Sequence, residues 1–282
     1  MGVANMYVLD CQDDFEQWRE QARIALQRSL LPGEVCWQAE AAPDLFGAQS
    51  AVLAPLPEPA PALLVPARAV DMLALAARFR APGRWDFLYK VLWRLNAGER
   101  QAIMAGDPDG AILQKRIKAV RREMHHLHAF LRFRKSTVAE LDWVAWHEPA
   151  HDILDLASSH FAERLGQQRW VIATPQDGVF YDGEALHYAR PCPEPWRAVA
   201  KGVRDDESLW ATYYRHIFNP ARLNREAMQG HMPRRFWAQL EEGRLIPELI
   251  SEAQRGSRRS GQRESVASLP GKQIPARLVR KP

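Results

Sequence analysis

The sequence predicts a mixed α/β (α+β) fold in which a largely antiparallel central sheet is flanked by helices. Three observations predict it. Strand-like pieces, "AFLRFRKS", "LDWVAWHE", "RWVIATP", "GVFYDG" and "EALHYA", crowd the stretch from 129 to 189. Asp182-Gly183 joins two of them as a hairpin signal, because both central positions of a type I′ turn need positive φ. Long segments with apolar residues at helical spacing stand on either side.

In chain order, "MYVLD" reads as a short strand, and Asp13 and Asp14 are the caps expected for the amphipathic segment "FEQWREQARIALQRSLL". That helix stops before Pro32-Gly33. "GEVCWQ" reads as a second strand. Prolines at 55, 57, 59, 61 and 66 make the next stretch a loop, with a short edge strand expected at Leu63 to Val65. Three helices follow: "ARAVDMLALAARF", "RWDFLYKVLWRLNAG" and a long one from Pro108 to His128. A further helix from Pro149 to Gly166 interrupts the strands, and residues from Glu207 to Gln254 read as helical. There, Asn219-Pro220 and Pro233 restart helices, the latter with Phe236, Trp237 and Leu240 facing inward. The whole is expected to form a single globular domain over 1–254, followed by a disordered basic tail over 255–282.

Composition narrows the function classes. Of 282 residues, 46% are apolar, enough for a sizeable core, yet no run of about eighteen apolar residues exists to span a membrane. The N-terminus has no secretory pattern, so a cytoplasmic protein without a membrane partner is expected. Three dispersed cysteines, Cys11, Cys36 and Cys192, give neither a disulfide framework nor the clustered triad of a radical SAM iron–sulfur centre. Net charge is +4, but the tail holds eight Lys or Arg against Glu264 alone. The remaining residues are slightly acidic, so the basic character belongs to the tail, an arm for nucleic acid or an inert solvated extension.

The long helix carries the most chemistry. Leu113, Ile117, Val120, Met124 and Leu127 form one buried stripe. At about 100° per residue, Lys115, Lys118, Arg122 and His125 fall on the opposite side as a basic ridge. In "FLRFRK" a period of two then sends Phe130, Arg132 and Arg134 to one face and Leu131 and Phe133 to the other. Between 115 and 135 stand eight basic residues and one acid. Cations beside aromatics suit a phosphate backbone with stacked bases. A solvated helix face with structural ion pairs fits the same residues equally well. Asn219 and Arg222, at a helix start, are a second candidate phosphate contact.

His125, His126 and His128 bring no further ligand close in sequence, so His125 and His128 read as surface histidines with a general-acid role, and no metal is expected. "HEPAH", His147 to His151, has the spacing of the zinc-protease motif, which needs both histidines on one helical face. Pro149 starts the helix instead, leaving His147 on the incoming extended segment; position 157, where a third ligand would stand, is alanine. Phosphate-loop and G-x-S-x-G patterns are absent, which removes support for nucleotide or serine hydrolysis.

Seven segments together, "RWDFLYKVLWRL", "AVRREMHHLHAFLRFR", "AWHEPAH", "VIATP", "DG", "LWATYYRHIFNPARL" and "MPRRFW", resemble one bacterial family of unknown function. It is described as acting in DNA metabolism, is encoded beside a radical SAM protein for DNA modification or repair, and is sometimes fused to a uracil-DNA-glycosylase-like domain. The resemblance runs from Tyr7 to Ala253; His147 departs from it, since the family tends to carry an aromatic there. It implies a DNA-repair accessory that binds DNA through Lys115, Lys118, Arg122, Arg132 and Arg134. A radical SAM partner would supply the iron–sulfur cluster and SAM, so no cofactor is expected on this chain. Two alternatives remain: a glycosylase-like or nuclease-like enzyme using His125 or His128, and a structural partner subunit without DNA affinity.

Overall fold

Two units make up the chain, Met1–Gly202 and Val203–Pro282, the boundary falling inside the region read from sequence as one domain. The computed structural model describes residues 6–38, 53–57, 61–202, 215, 216, 218, 225–237 and 240–255.

The first unit opens with β1 (Tyr7–Asp10), α1 (Phe15–Gln27) and β2 (Val35–Gln38), the strands pairing in parallel. Asp14 caps α1, its carboxylate accepting from the Gln17 amide at 2.9 Å. Trp18, on the inner face of α1, meets Trp37 of β2 and Trp85, with centroids 5.9 and 5.7 Å away. The edge strand expected at Leu63 to Val65 is not formed. The Leu64 amide, which an edge strand would give to a neighbour, instead donates to Asn96 at 3.0 Å.

Helices α2 (Ala67–Ala77), α3 (Arg84–Asn96) and α4 (Pro108–Phe130) follow. The apolar stripe of α4 is divided between two cores. Leu113 and Ile117 pack into a helical core with α1, α2 and α3, whereas Val120 and Leu127 pack into a second core beneath the main sheet. Helix α4 thereby joins the opening βαβ layer to the sheet layer.

That sheet comprises β3 (Arg134–Lys135), β4 (Trp143–Trp146), β5 (Trp170–Ala173), β6 (Gly178–Tyr181) and β7 (Leu186–Ala189), in that order. All neighbours are antiparallel except β4 and β5, which are linked by a crossover through α5 (Leu154–Leu165). Trp170 and Ile172 face α4 and α5, while Val171 and Ala173 face α6 (Glu194–Gly202), the alternation of a strand covered on both sides. Helix α6 comes so close to β6 that a Cβ on Gly178 would lie 2.8 Å from the Trp196 ring. The second unit contains α7 (Arg225–His231) and α8 (Leu245–Arg255), with short 3-10 helices at Arg234–Phe236 and Glu241–Arg244. Phe236, Trp237 and Leu240 are buried, as their spacing predicts.

Several sequence expectations are corrected. The strand expected from "AFLRFRKS" shrinks to β3, because α4 continues through Phe130 and its last turn is closed by Leu131 N donating to Leu127 O at 2.9 Å. The helix expected from Pro149 begins at Leu154. Backbone groups of 149–152 are captured by other elements: Arg80 donates to the Pro149 carbonyl at 3.0 Å, the Ala150 amide donates to Glu123 at 2.7 Å, and the Asp152 amide to the Arg78 carbonyl at 2.9 Å. At the hairpin only Gly183 has positive φ, +104°. A four-residue loop replaces the two-residue turn, held by Asp182 Oδ1 accepting from the amides of Glu184 and Ala185, both at 2.8 Å. Helix α6 has no clear sequence signal, because Pro191, Pro193 and Pro195 obscure it, although Pro195 occupies the first turn, where no amide donor is needed. No described helix is long and apolar enough to cross a membrane.

Candidate nucleic-acid interface

Helix α4 is anchored at its start. Asp107 caps it by accepting from the amides of Asp109 at 2.9 Å and Gly110 at 3.1 Å. Arg94 in turn binds Asp107 in a two-pronged pair at 2.8 and 2.6 Å and reaches Asp109 at 2.7 Å. Hydrogen bonds from Arg94, followed by those of the two amides, hold the Asp107 carboxyl well below the usual carboxylate range.

With the buried stripe fixed, Lys115, Lys118, Arg121, Arg122 and His125 are all exposed. Lys115, Lys118 and Arg121 make no ion pair with any described residue. The lone acid of this stretch makes no ion pair with Lys115, Lys118 or Arg121. Glu123 is only 3% exposed; it accepts from the Ala150 amide and faces His126 Nδ1 at 3.6 Å. Negative charge is thus turned into the fold and positive charge out of it.

The other candidates are placed differently. Arg132 is half-buried, and its Nη1 donates to the carbonyls of Ala129 at 2.9 Å and Leu131 at 3.3 Å, so it closes the C-terminal end of α4. Arg134 is half-buried on β3, opposite Val144. Residues 131–133 separate the helix from this strand without regular structure, so the ridge ends before β3. Asn219 and Arg222 lie outside the described residues.

The two histidines part company. His125 is exposed, whereas His128 is half-buried against α5, with its Nε2 3.2 Å from the Ala157 carbonyl oxygen and its ring 4.4 Å from that of His160. Burial pushes the His128 imidazole below its ordinary value; the His160 and His125 charges act in the same direction, against the carbonyl bond. A surface role for His128 is therefore corrected to a packing role at the α4–α5 contact. Neither histidine of "HEPAH" is on a helix, since β4 ends at Trp146 and α5 begins at Leu154. Glu148 accepts from Trp146 Nε1 at 2.9 Å. Among the described residues, no three His, Cys, Asp or Glu side chains gather as a metal would require.

A second charged cluster, which the sequence reading missed, lies beside α4. Asp152 accepts from Arg80 at 2.7 and 3.0 Å, from Arg84 at 3.1 Å and from Arg190 at 2.5 Å. Arg84 also reaches Asp13, and Arg190 reaches Asp177 at 3.0 Å. Burial alone would raise the Asp152 carboxyl, but Arg80, Arg190 and Arg84 outweigh it and hold the group below its ordinary value. Its members are scattered from 13 to 190, so only the fold reveals them as one cluster. Arg116, counted from sequence with the basic run, also leaves the ridge. Its guanidinium lies 4.2 Å from the Phe87 ring centroid and 5.6 Å from that of Phe79.

The fold and this face define a mixed α/β chain with a cationic helix face exposed at its surface. Residues 82–242 match the model of the DUF4130 family, a domain of unknown function, and the chain belongs to that family. The matched stretch is shorter than the Tyr7 to Ala253 resemblance, and it contains α3, α4 and the whole five-stranded sheet. No curated protein and no solved structure matches the chain.

Proposed function

We propose that this chain binds DNA along the exposed side of α4 and serves DNA repair or metabolism as an accessory to a radical SAM enzyme. The carrying observation is that Lys115, Lys118 and Arg121 stand exposed without a carboxylate among the described residues, while the nearby Glu123 is turned inward. Uncompensated cations along a helix attract a polyanion through release of its counterions. A ridge of this kind contacts backbone, which gives affinity without sequence preference. The partner would bring the cluster and SAM, for which three dispersed cysteines provide no site here. Binding is favoured over a reaction at the histidines because His128 is committed to the Ala157 carbonyl and the His160 ring.

The test is a salt titration of duplex affinity for wild type and the Lys115→Ala/Lys118→Ala/Arg122→Ala variant. The slope of log affinity against log salt should become shallower by about 0.9 for each DNA phosphate that the variant no longer neutralises. Equal affinity and slope in the two proteins would count against the proposal.

A further inference from the structure

Among the described residues, Arg116 is the one arginine of the α2–α3–α4 junction that no carboxylate serves. Arg78 pairs with Asp155, Arg80 with Asp152, Arg84 with Asp13 and Asp152, and Arg190 with Asp152 and Asp177. Arg116 has no ion pair and no hydrogen bond among the described residues, and its Nη1 is fully enclosed. The flanking rings of Phe87 and Phe79 stabilise its charge only in part, since a cation over an aromatic face still leaves five N–H donors to satisfy. Arg84 stands near enough that its charge, after burial, lowers the Arg116 pKa. Among the described residues five guanidiniums thus meet four carboxylates, and the surplus is a single positive charge at Arg116.

We propose that Arg116, supported by the field of Arg84, forms an oxyanion site that takes a phosphate group. Nη1 is enclosed beside the Phe87 ring, which leaves Nε and Nη2 as the pair of donors that can grip two oxygens of a phosphate in parallel hydrogen bonds. Arg84 contributes charge rather than donors, because its own Nη atoms are occupied by Asp13 and Asp152. One negative charge balances the cluster, which suits a phosphodiester or the monoanion of free phosphate. The site is separate from the ridge, since Arg116 is turned about 100° round the helix axis from Lys115. Whether the phosphate belongs to a DNA strand rests on the proposed function; the existence of the site does not.

The experiment compares thermal unfolding of the full chain in sodium phosphate and in sodium chloride at equal ionic strength, for wild type, Arg116→Met and Lys118→Ala. Wild type and Lys118→Ala should be stabilised by phosphate, because a ligand that binds only the folded state raises the midpoint. Arg116→Met, which keeps the stem between the rings, should lose that response. Should Arg116→Met not fold, Arg116→Lys keeps the charge without the fork and should weaken phosphate binding about tenfold. A short oligodeoxynucleotide competing for the site better than inorganic phosphate identifies a DNA strand as the source, and the reverse order identifies free phosphate. Absence of any phosphate-specific stabilisation in wild type overturns the site, as does an undiminished response in Arg116→Met. Loss of DNA binding in Lys118→Ala with the phosphate response intact separates the two proposals.

Discussion

Two groups of basic side chains, one around Asp152 and one on the open side of α4, illustrate opposite uses of the same residue types. Around Asp152, guanidiniums from the α2–α3 turn and from the end of β7 converge on a carboxylate whose side chain is 12% exposed. Along α4, cations at helical spacing face solvent with no described carboxylate opposite Lys115, Lys118 or Arg121. The first group ties distant segments together; the second meets no acid at Lys115, Lys118 or Arg121 among the described residues. Counting cations does not distinguish them. What does is whether the fold brings an acid to meet them.

The strongest way to break this contrast is Asp152→Ala, which leaves Arg80, Arg84 and Arg190 facing one another. Breaking a buried pair from one side costs about 3–5 kcal/mol, so the denaturant midpoint should fall steeply. A change no larger than that of a surface substitution would show that the cluster is not a structural tie. The ridge variant Lys115→Ala/Lys118→Ala/Arg122→Ala should behave in the opposite way. Its unfolding free energy should stay within about 0.5 kcal/mol per site of wild type, while its DNA affinity at low salt drops tenfold or more. If its stability falls as far as that of Asp152→Ala, the ridge is structural and the contrast fails.

The smallest effect sharpens the account of His128. Its folded-state pKa lies below the ordinary 6.5, so the unfolded chain binds the proton more readily. The His128 contribution is therefore fully present above about pH 6.5 and is lost as pH falls through the folded value. Between pH 8 and 5.5, His128→Gln should lose less stability than wild type by chemical denaturation. An equal loss in both proteins would mean that titration of His128 is not coupled to folding.

Much of the architecture was legible because it rests on local periodicity. The buried stripe of α4 and the presence of strands β4 to β7 follow from spacings of 3.6 and 2 within single segments. The errors arose where distant residues decide the outcome. Pro149 is an acceptable first helical residue by local rules, yet Arg80, Glu123 and Arg78 take up the neighbouring backbone groups and delay α5 by five positions. Three of the five residues of the candidate face were readable in the same way: Lys115, Lys118 and Arg122 are exposed where the helical angle places them. Arg132 was not, because its role as a helix cap depends on where α4 ends. Arg116 did leave a signal, since at about 100° per residue it falls close to Leu113 and Val120 rather than to Lys118. Asp152 left none, because its three arginines come from positions 80, 84 and 190.

The division of the α4 stripe between two cores also bears on how the protein comes apart. Because Leu113 and Ile117 belong to one hydrophobic cluster and Val120 and Leu127 to the other, loosening either cluster strips half the rod of its packing. Amide protons along its middle turns should then exchange with deuterium only when the whole first unit opens, even though the lysines above them are bathed in water. Such a helix can meet a flexible partner as a stiff edge, with its spacing of charges unchanged by the encounter.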